Sequence, residues 1–423
     1  MEALFPMDQY QGMKICVALS GGLDSVCLLY AFRREASKYG ITLTAAHLEH
    51  GIRGEESLRD LNFCENLCRE WGIELISRRI SVPSVAKDSG RGIEETAREI
   101  RYRFFENIIS SGKADFVATA HHMNDVAETI LFRLARGTAL AGMHGITEHG
   151  GFIRPLLHVT RRELEQYASV NNLPHVEDST NGDEAYARNR IRRSVLPALE
   201  EINGLAVEHI ARFASLSAAD DDLLTSLADE KIVRRAGERA VPIDLPEPLF
   251  LRAALICMKE CGMLKDYTYE QLGGILRLRS LQSGKKMKLS DGEAVREYGY
   301  IVFYRPEPDF EGETPFYAEI GTLFAVGGVE MGIFSDGGGL RADLDAFPEG
   351  AVVRTRQEGD FITPYRGREK SLKKFLTDRK ISARLGRKLP LVCKGSEVLV
   401  VSGVEISDKV KITDKTVRRG YIR

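Results

Sequence analysis

Apolar and polar positions follow two alternating rhythms through the first 160 residues. Lys14–Leu19 (KICVAL) is a short apolar run rich in β-formers, and from Val26 to Phe32 the apolar residues recur at helical spacing. The exchange then repeats. Thr42–Glu49 (TLTAAHLE) precedes a stripe of Leu58, Leu61, Cys64, Leu67, Cys68 and Trp71, and Ile73–Ile80 precedes a helix around Glu94–Ser110. Asp115–Ala120 (DFVATA) precedes Asn124–Arg136, and Phe152–Leu156 (FIRPL) reads as a last short strand. Strands alternating with helices of this length predict βαβ units and a parallel sheet covered on both faces. In such sheets ligands bind beyond the strand C-termini.

The pattern then changes. Thr160-Arg161-Arg162-Glu163 is a capping box that opens another helix, followed by a polar stretch from Asn171 to Ser194 and helical patterns to about Asp229. Pro242, Pro246 and Pro248 punctuate a boundary before helices at Phe250–Met263 and Tyr269–Ser280. A hairpin-like segment turning at Asp291-Gly292 follows, and Pro306–Asp309 and Gly337–Gly339 read as linkers. The last part, from about Ala351, looks mixed α/β. The fold class is therefore α/β: a parallel-sheet domain over 1–215 followed by a helical linker, a small α+β domain over 216–330 and a small mixed α/β domain over 331–423. These 423 residues are more than one core usually organises.

Composition adds three constraints. No apolar run approaches the ~20 residues of a membrane span, and the N-terminus lacks the regions of a signal peptide, so no membrane partner and a cytoplasmic location are expected. The seven cysteines form no C-x-x-C, which favours buried structural thiols over a metal or iron–sulfur site. The net charge is only −2, yet residues 351–423 carry 19 Lys and Arg against 8 Asp and Glu, a net of +11. A basic module on an acidic body suggests an anionic partner such as nucleic acid, although composition alone leaves a solvated basic face equally open.

Ser20-Gly21-Gly22-Leu23-Asp24-Ser25 interrupts the first strand–helix pair. Two glycines let the backbone approach a ligand and take positive φ, and the N–H groups of the next helix favour phosphate oxygens. Ser20 and Ser25 add hydroxyls. Asp24 by itself would repel phosphate, so its presence implies a bridging Mg²⁺. There is no G-K-[ST], so this is not a Walker A loop.

This loop resembles the pyrophosphate loop of N-type ATP pyrophosphatases (the PP-loop, adenine nucleotide alpha hydrolase-like fold), which adenylate a substrate and release pyrophosphate. Further blocks resemble one branch, the tRNA(Ile)-lysidine synthetases. They are His47-Leu48-Glu49-His50-Gly51-Ile52-Arg53, Gly92–Tyr102 (GIEETAREIRY) and Ala118–Thr129 (ATAHHMNDVAET). Arg133–Thr138, Arg154-Pro155-Leu156, Glu177–Asn181, Arg188–Arg192 and the run from Arg354 to Ile381 continue the match in the family's order. Asn124 stands where an aspartate is usual, Glu49 where Asn or Asp is usual, and Met143 where leucine is usual.

The resemblance implies ATP and Mg²⁺ as cofactors, with Ser20, Gly21, Gly22, Leu23, Asp24, Ser25 and His47 on the nucleotide and Asp24 on the metal. It implies ligation of L-lysine to the wobble cytidine of a CAU-bearing isoleucine tRNA, with loss of AMP and pyrophosphate. Asp24, His121, Asp125 and Glu128 are the expected catalytic residues. The last three, spaced i, i+4, i+7, are expected on one helical face, with a solvated face as the plain alternative. The ε-ammonium of free lysine has a pKa near ~10.4, so a neighbouring carboxylate or histidine would help supply the neutral amine. His47 and His50 lack a third ligand nearby in sequence, which favours nucleotide contact or packing over zinc. Arg98, Arg101, Arg188 and Arg192, interleaved with Tyr and Asn, suit an RNA backbone and splayed bases, or else surface salt bridges. A monomer or homodimer is expected. Rival readings are a tRNA thiolase, a small-metabolite synthetase of the same superfamily, and a non-catalytic RNA-binding protein.

Overall fold

In the computed structural model, the first 170 residues place five strands in the order β3-β2-β1-β4-β5, all parallel. They are β1 (Lys14–Ala18), β2 (Thr42–Glu49), β3 (Glu74–Arg79), β4 (Phe116–Ala118) and β5 (Phe152–Ile153). The structure describes residues 3–51, 54–146, 150–177, 187–263, 269–306, 312–326, 328–336 and 338–423. Ile52, Arg53, Asp178 to Asn181, residues 307–309 and Gly337, singled out above, lie outside the described residues, as do the side chains of Glu94 and Tyr269.

Helices α1 (Leu23–Tyr39), α2 (Glu55–Trp71), α3 (Val82–Ser89), α4 (Ile93–Ser110), α5 (Met123–Arg136) and α6 (Arg161–Val170) make the crossovers and flanks. Strand alternation puts Ile15 and Val17 into a core with α1, α2 and α6, while Cys16 joins Phe104, Phe105 and Ile108 of α4 on the other face. Strand order reverses at β1, with β2 on one side and β4 on the other. This switch point opens a crevice beyond the strand C-termini. Both the serine–glycine loop after β1 and the two histidines after β4 emerge there.

The α2 stripe departs from expectation at its first turn. Leu58 is exposed, while Ser57 and Asp60 turn inward, because that turn borders a cavity rather than the core. Farther on come α7 (Ala187–Arg190), a π-helical turn at Ile191–Val195, α8 (Leu196–Ile202) and α9 (Ala206–Asp229).

The chain divides into two units, Met1–Asp222 and Leu223–Arg423. In the second, β6 (Val233–Arg235), β7 (Glu238–Pro242), β8 (Lys286–Leu289), β9 (Gly292–Glu297) and β10 (Tyr300–Tyr304) form an antiparallel sheet. The β8–β9 hairpin turns at Ser290-Asp291, one residue before the expected Asp291-Gly292, because Gly292 already pairs with Leu289 in the ladder. Helices α10 (Glu247–Glu260) and α11 (Tyr269–Leu278) bury Phe250, Cys257 and Ile275 against this sheet. From Glu313 onward the chain builds two further sheets, with short helices at Leu372–Asp378 and Ala383–Lys388. The terminal segment is mixed α/β, as read from sequence.

Candidate functional site

The ladder of β1 runs right up to the loop, since Leu19 N–H still donates to the Ala46 carbonyl at 2.8 Å. Gly21 then takes φ +91°, and a Cβ there would lie 3.0 Å from Val176 Cγ2 and 3.2 Å from Phe63. Only glycine suits that position. The two serines hold the loop's shape. Ser25 Oγ donates to the Gly22 carbonyl at 2.9 Å and accepts from Ser20 N–H at 3.2 Å, with Ser20 Oγ 3.1 Å away. Gly22 caps α1 without a side-chain partner, leaving the first backbone N–H groups of α1 and its dipole for an anion.

Asp24 lies where three helices begin. Arg161, the first residue of α6, donates Nη1–H to Asp24 Oδ1 at 2.7 Å. His122, the N-cap of α5, brings Nε2 to 3.7 Å from Asp24 Oδ2 and 3.6 Å from Asp125 Oδ2. Asn124 Oδ1 accepts the Arg161 backbone N–H at 2.9 Å, which ties α5 to α6. The residue that departs from the family's usual aspartate thus has a structural partner. Burial pushes the Asp24 carboxyl up from its ordinary pKa, while His122 and Arg161 pull it back down.

A cavity of about 570 Å³ opens over the loop, lined by Ser20, Gly22, Asp24, Ser25, His47, Arg101 and others. Its size suits a nucleotide. Gly21 and Leu23 shape the loop from beneath; Leu23 packs on the sheet core. The Leu19 carbonyl, 2.8 Å away, accepts from His47 Nδ1, which leaves Nε2 of this buried ring as an acceptor. Burial holds the His47 pKa below its usual value.

A second cavity, of about 360 Å³, adjoins the first. Asp125, Glu128, Arg154, Arg188 and Arg192 contribute to its lining. Arg192, on the π-helical turn, donates Nε–H to Glu128 Oε1 at 2.6 Å and Nη2–H to Oε2 at 3.1 Å, and reaches Asp125 Oδ1 at 3.3 Å. Such turns inside helices recur at functional sites. Burial pushes Glu128 up, against the opposing pull of Arg192.

Three residues line both cavities: Arg98, Tyr102 and His121. His121 was expected on the helical face with Asp125 and Glu128. It lies instead in the extended turn before α5, because His122 caps the helix with ψ 178° and Met123 starts it. Its Nδ1 sits 3.0 Å from Thr119 Oγ1. Burial brings its pKa down to about 4, with Arg154, Arg101 and Arg98 pushing the same way and Asp125 opposing. At neutral pH its ring is uncharged. The structure therefore places the expected site residues along two adjoining cavities, apart from Gly21 and Leu23, which line neither.

Sequence reasoning did not single out His122, Arg161 or Arg154 as site residues, although each lies in a block it quoted. Among the described residues no group of three or more His, Cys, Asp and Glu is arranged to hold a metal. Asp24 beside a phosphate cradle nonetheless fits Mg²⁺, which is commonly held by one or two carboxylates plus substrate phosphates. No described helix is long and apolar enough to cross a membrane.

The profile of the PP-loop domain family matches residues 2–199, and that of the TilS substrate C-terminal domain matches residues 351–419. The tRNA(Ile)-lysidine synthase of Thermotoga maritima is 34% identical over 412 residues, covering 94% of this chain and 93% of the relative. That of Caldanaerobacter subterraneus is 30% identical over 431 residues, covering 95% and 92% respectively. That of Clostridium tetani is 30% identical over 434 residues, covering 96% and 93%. With both domain profiles in place and such relatives matched almost end to end, the chain belongs to the tRNA(Ile)-lysidine synthase family.

Proposed function

We propose that this protein uses ATP to join L-lysine to C2 of the wobble cytidine in the CAU anticodon of an isoleucine tRNA. Lysidine, AMP and pyrophosphate are the products, and the tRNA changes from methionine to isoleucine identity and from AUG to AUA decoding. The observation that carries this reading is the pair of cavities with one common wall. One has a phosphate cradle; the other has two carboxylates, Asp125 and Glu128, that share a single guanidinium and so keep one negative charge in excess for an ε-ammonium.

The C2 carbonyl of cytidine is a poor electrophile and its oxygen a poor leaving group. Transfer of the adenylyl group to that oxygen turns it into AMP, and pyrophosphate departs. Ser20, Ser25 and the α1 N-terminus hold the departing phosphates. Asp24 is the residue to hold Mg²⁺, which when bound would neutralise phosphate charge. In the second cavity, Asp125 and Glu128 hold the lysine ammonium. Glu128, whose carboxyl is pushed up by burial, takes the amine's proton. The neutral amine attacks C2, the C2–O bond breaks and AMP leaves. Residues 351–423, with their net charge of +11, add salt-sensitive affinity for the tRNA.

A thiolase reading fits less well. Six of the seven cysteines are buried and Cys261 is partly buried, and none lines either cavity. The reaction class is tested by measuring pyrophosphate and AMP from ATP with and without tRNA. Release in equal amounts that requires the isoleucine tRNA supports the proposal; tRNA-independent release contradicts it.

A further inference from the structure

The wall between the cavities has a layered construction. Phe152 on β5 lies edge-on to Tyr102, with ring centroids 5.1 Å apart and planes at 70°. On Tyr102 rests the Arg98 guanidinium, its Cζ 4.9 Å from the ring centroid and its Nη2–H directed to Tyr102 Oη at 3.5 Å. Phe152 is buried, Tyr102 half-buried and Arg98 exposed, so the ladder rises from the core to the surface of the wall. No carboxylate among the described residues pairs with Arg98, unlike Arg161 and Arg192. Its contacts are with the ring and the hydroxyl of Tyr102.

The chemistry proposed above dictates where the base must lie. C2 of the cytosine has to meet the α-phosphate from one cavity and the lysine amine from the other. The ring must therefore rest at the boundary the two share, against Arg98, Tyr102 and His121. Of these, His121 is anchored by Thr119, and Tyr102 is covered by Arg98. The guanidinium of Arg98 lies over the tyrosine ring on one side, and Arg98 is exposed on the other. Unpaired bases stack on such planes as readily as on aromatic rings.

We propose that the extruded wobble cytosine stacks on the outer face of Arg98, with Tyr102 and Phe152 as its backing. Arg98 is then a platform for the reacting base rather than a phosphate contact. The inference rests on the lysine-transfer reading of the site. A platform that orients the base needs the guanidinium plane, and its positive charge alone does not suffice.

The test uses a CAU anticodon stem–loop with pyrrolocytosine, a fluorescent cytosine analogue, at the wobble position. The full-length protein is added with an unreactive ATP analogue, and lysine transfer to unlabelled tRNA is measured in parallel. Wild-type protein should quench the analogue. Arg98→Ala and Arg98→Lys should both lose the quench, and their kcat/KM for lysine transfer should fall by roughly 5- to 150-fold, the value of one base stack. Tyr102→Phe keeps the ring behind the guanidinium and should keep the quench. An undiminished quench in Arg98→Lys and Arg98→Ala, with wild-type transfer intact, overturns the platform and leaves the reaction standing. Loss of the quench in Arg98→Ala but not in Arg98→Lys also overturns it, since charge would then suffice. Neither quench nor lysine transfer by the wild type overturns platform and reaction together.

Discussion

Arg192 grips Glu128 through two hydrogen bonds of 2.6 and 3.1 Å and extends to Asp125 at 3.3 Å. A guanidinium spanning two carboxylates inside a cavity marks the place where another cation can be held. Glu128→Gln keeps the shape and removes one charge. The KM for lysine should rise roughly 10- to 150-fold, equivalent to the ~1.5–3 kcal/mol of a hydrogen bond to a charged group, and kcat should fall roughly 100-fold or more with the loss of the proton acceptor. The KM for ATP should stay within about twofold, because Glu128 does not line the nucleotide cavity. Steady-state kinetics with each substrate varied in turn checks both.

Gly21 offers a test of the loop by geometry alone. An alanine there would combine a φ of +91° with a Cβ 3.0 Å from Val176 Cγ2. Gly21→Ala should weaken ATP binding at least ~10-fold and cost about 1–3 kcal/mol of stability. Calorimetric titration with ATP and urea unfolding measure the two effects separately.

The depressed pKa of His121 fixes the sign of a pH effect. The folded state holds this ring neutral down to about pH 4, whereas its ordinary pKa is 6.5. Between those values the unfolded chain binds more protons, so the contribution is whole above about pH 6.5 and is lost as pH falls toward 4. The loss is at most about 3 kcal/mol. His121→Gln should flatten the dependence of the urea midpoint on pH across that window. An unchanged slope removes His121 as its source.

In the second unit, Arg354 and Asp360 form a buried pair, with side chains 2% and 1% exposed and hydrogen bonds of 2.8 and 2.9 Å. Arg354 also donates to the Gly395 carbonyl at 2.8 Å. Arg354→Met strands a buried charge and should cost about 3–5 kcal/mol, while Arg354→Met with Asp360→Leu should recover most of it. Denaturant melts of the single and double variants decide this.

These residues also show what a sequence can and cannot disclose. β2 was predicted to the residue because Thr42–Glu49 is an unbroken run, and the loop at Ser20–Ser25 announced itself through its glycines. The helix α3 escaped notice, since eight residues with a proline near the start hold too short a period to register. β4 ends at Ala118 rather than Ala120 because Thr119 and Ala120 already turn toward the crevice, where both line the first cavity. His121 fell off its predicted helix face because one capping residue, His122, shifts the start of α5. The Arg161–Asp24 contact spans 137 positions and the Arg192–Glu128 contact 64, distances over which local pattern carries no information. Arg354 and Asp360 carried part of the family resemblance, yet their observed role is to hold a fold together.

The proposed lysine transfer depends on both cavities at once. It is tested most directly by incubating the protein with labelled lysine, ATP, Mg²⁺ and transcripts of the CAU-bearing isoleucine tRNA, with a methionine tRNA as control. Label is expected on the isoleucine transcript alone, and at least ~10-fold less of it with Asp24→Asn or Glu128→Gln at sub-KM lysine. AMP formed in the presence of tRNA, without lysine appearing in it, would contradict the account and leave an adenylating enzyme that serves a different nucleophile.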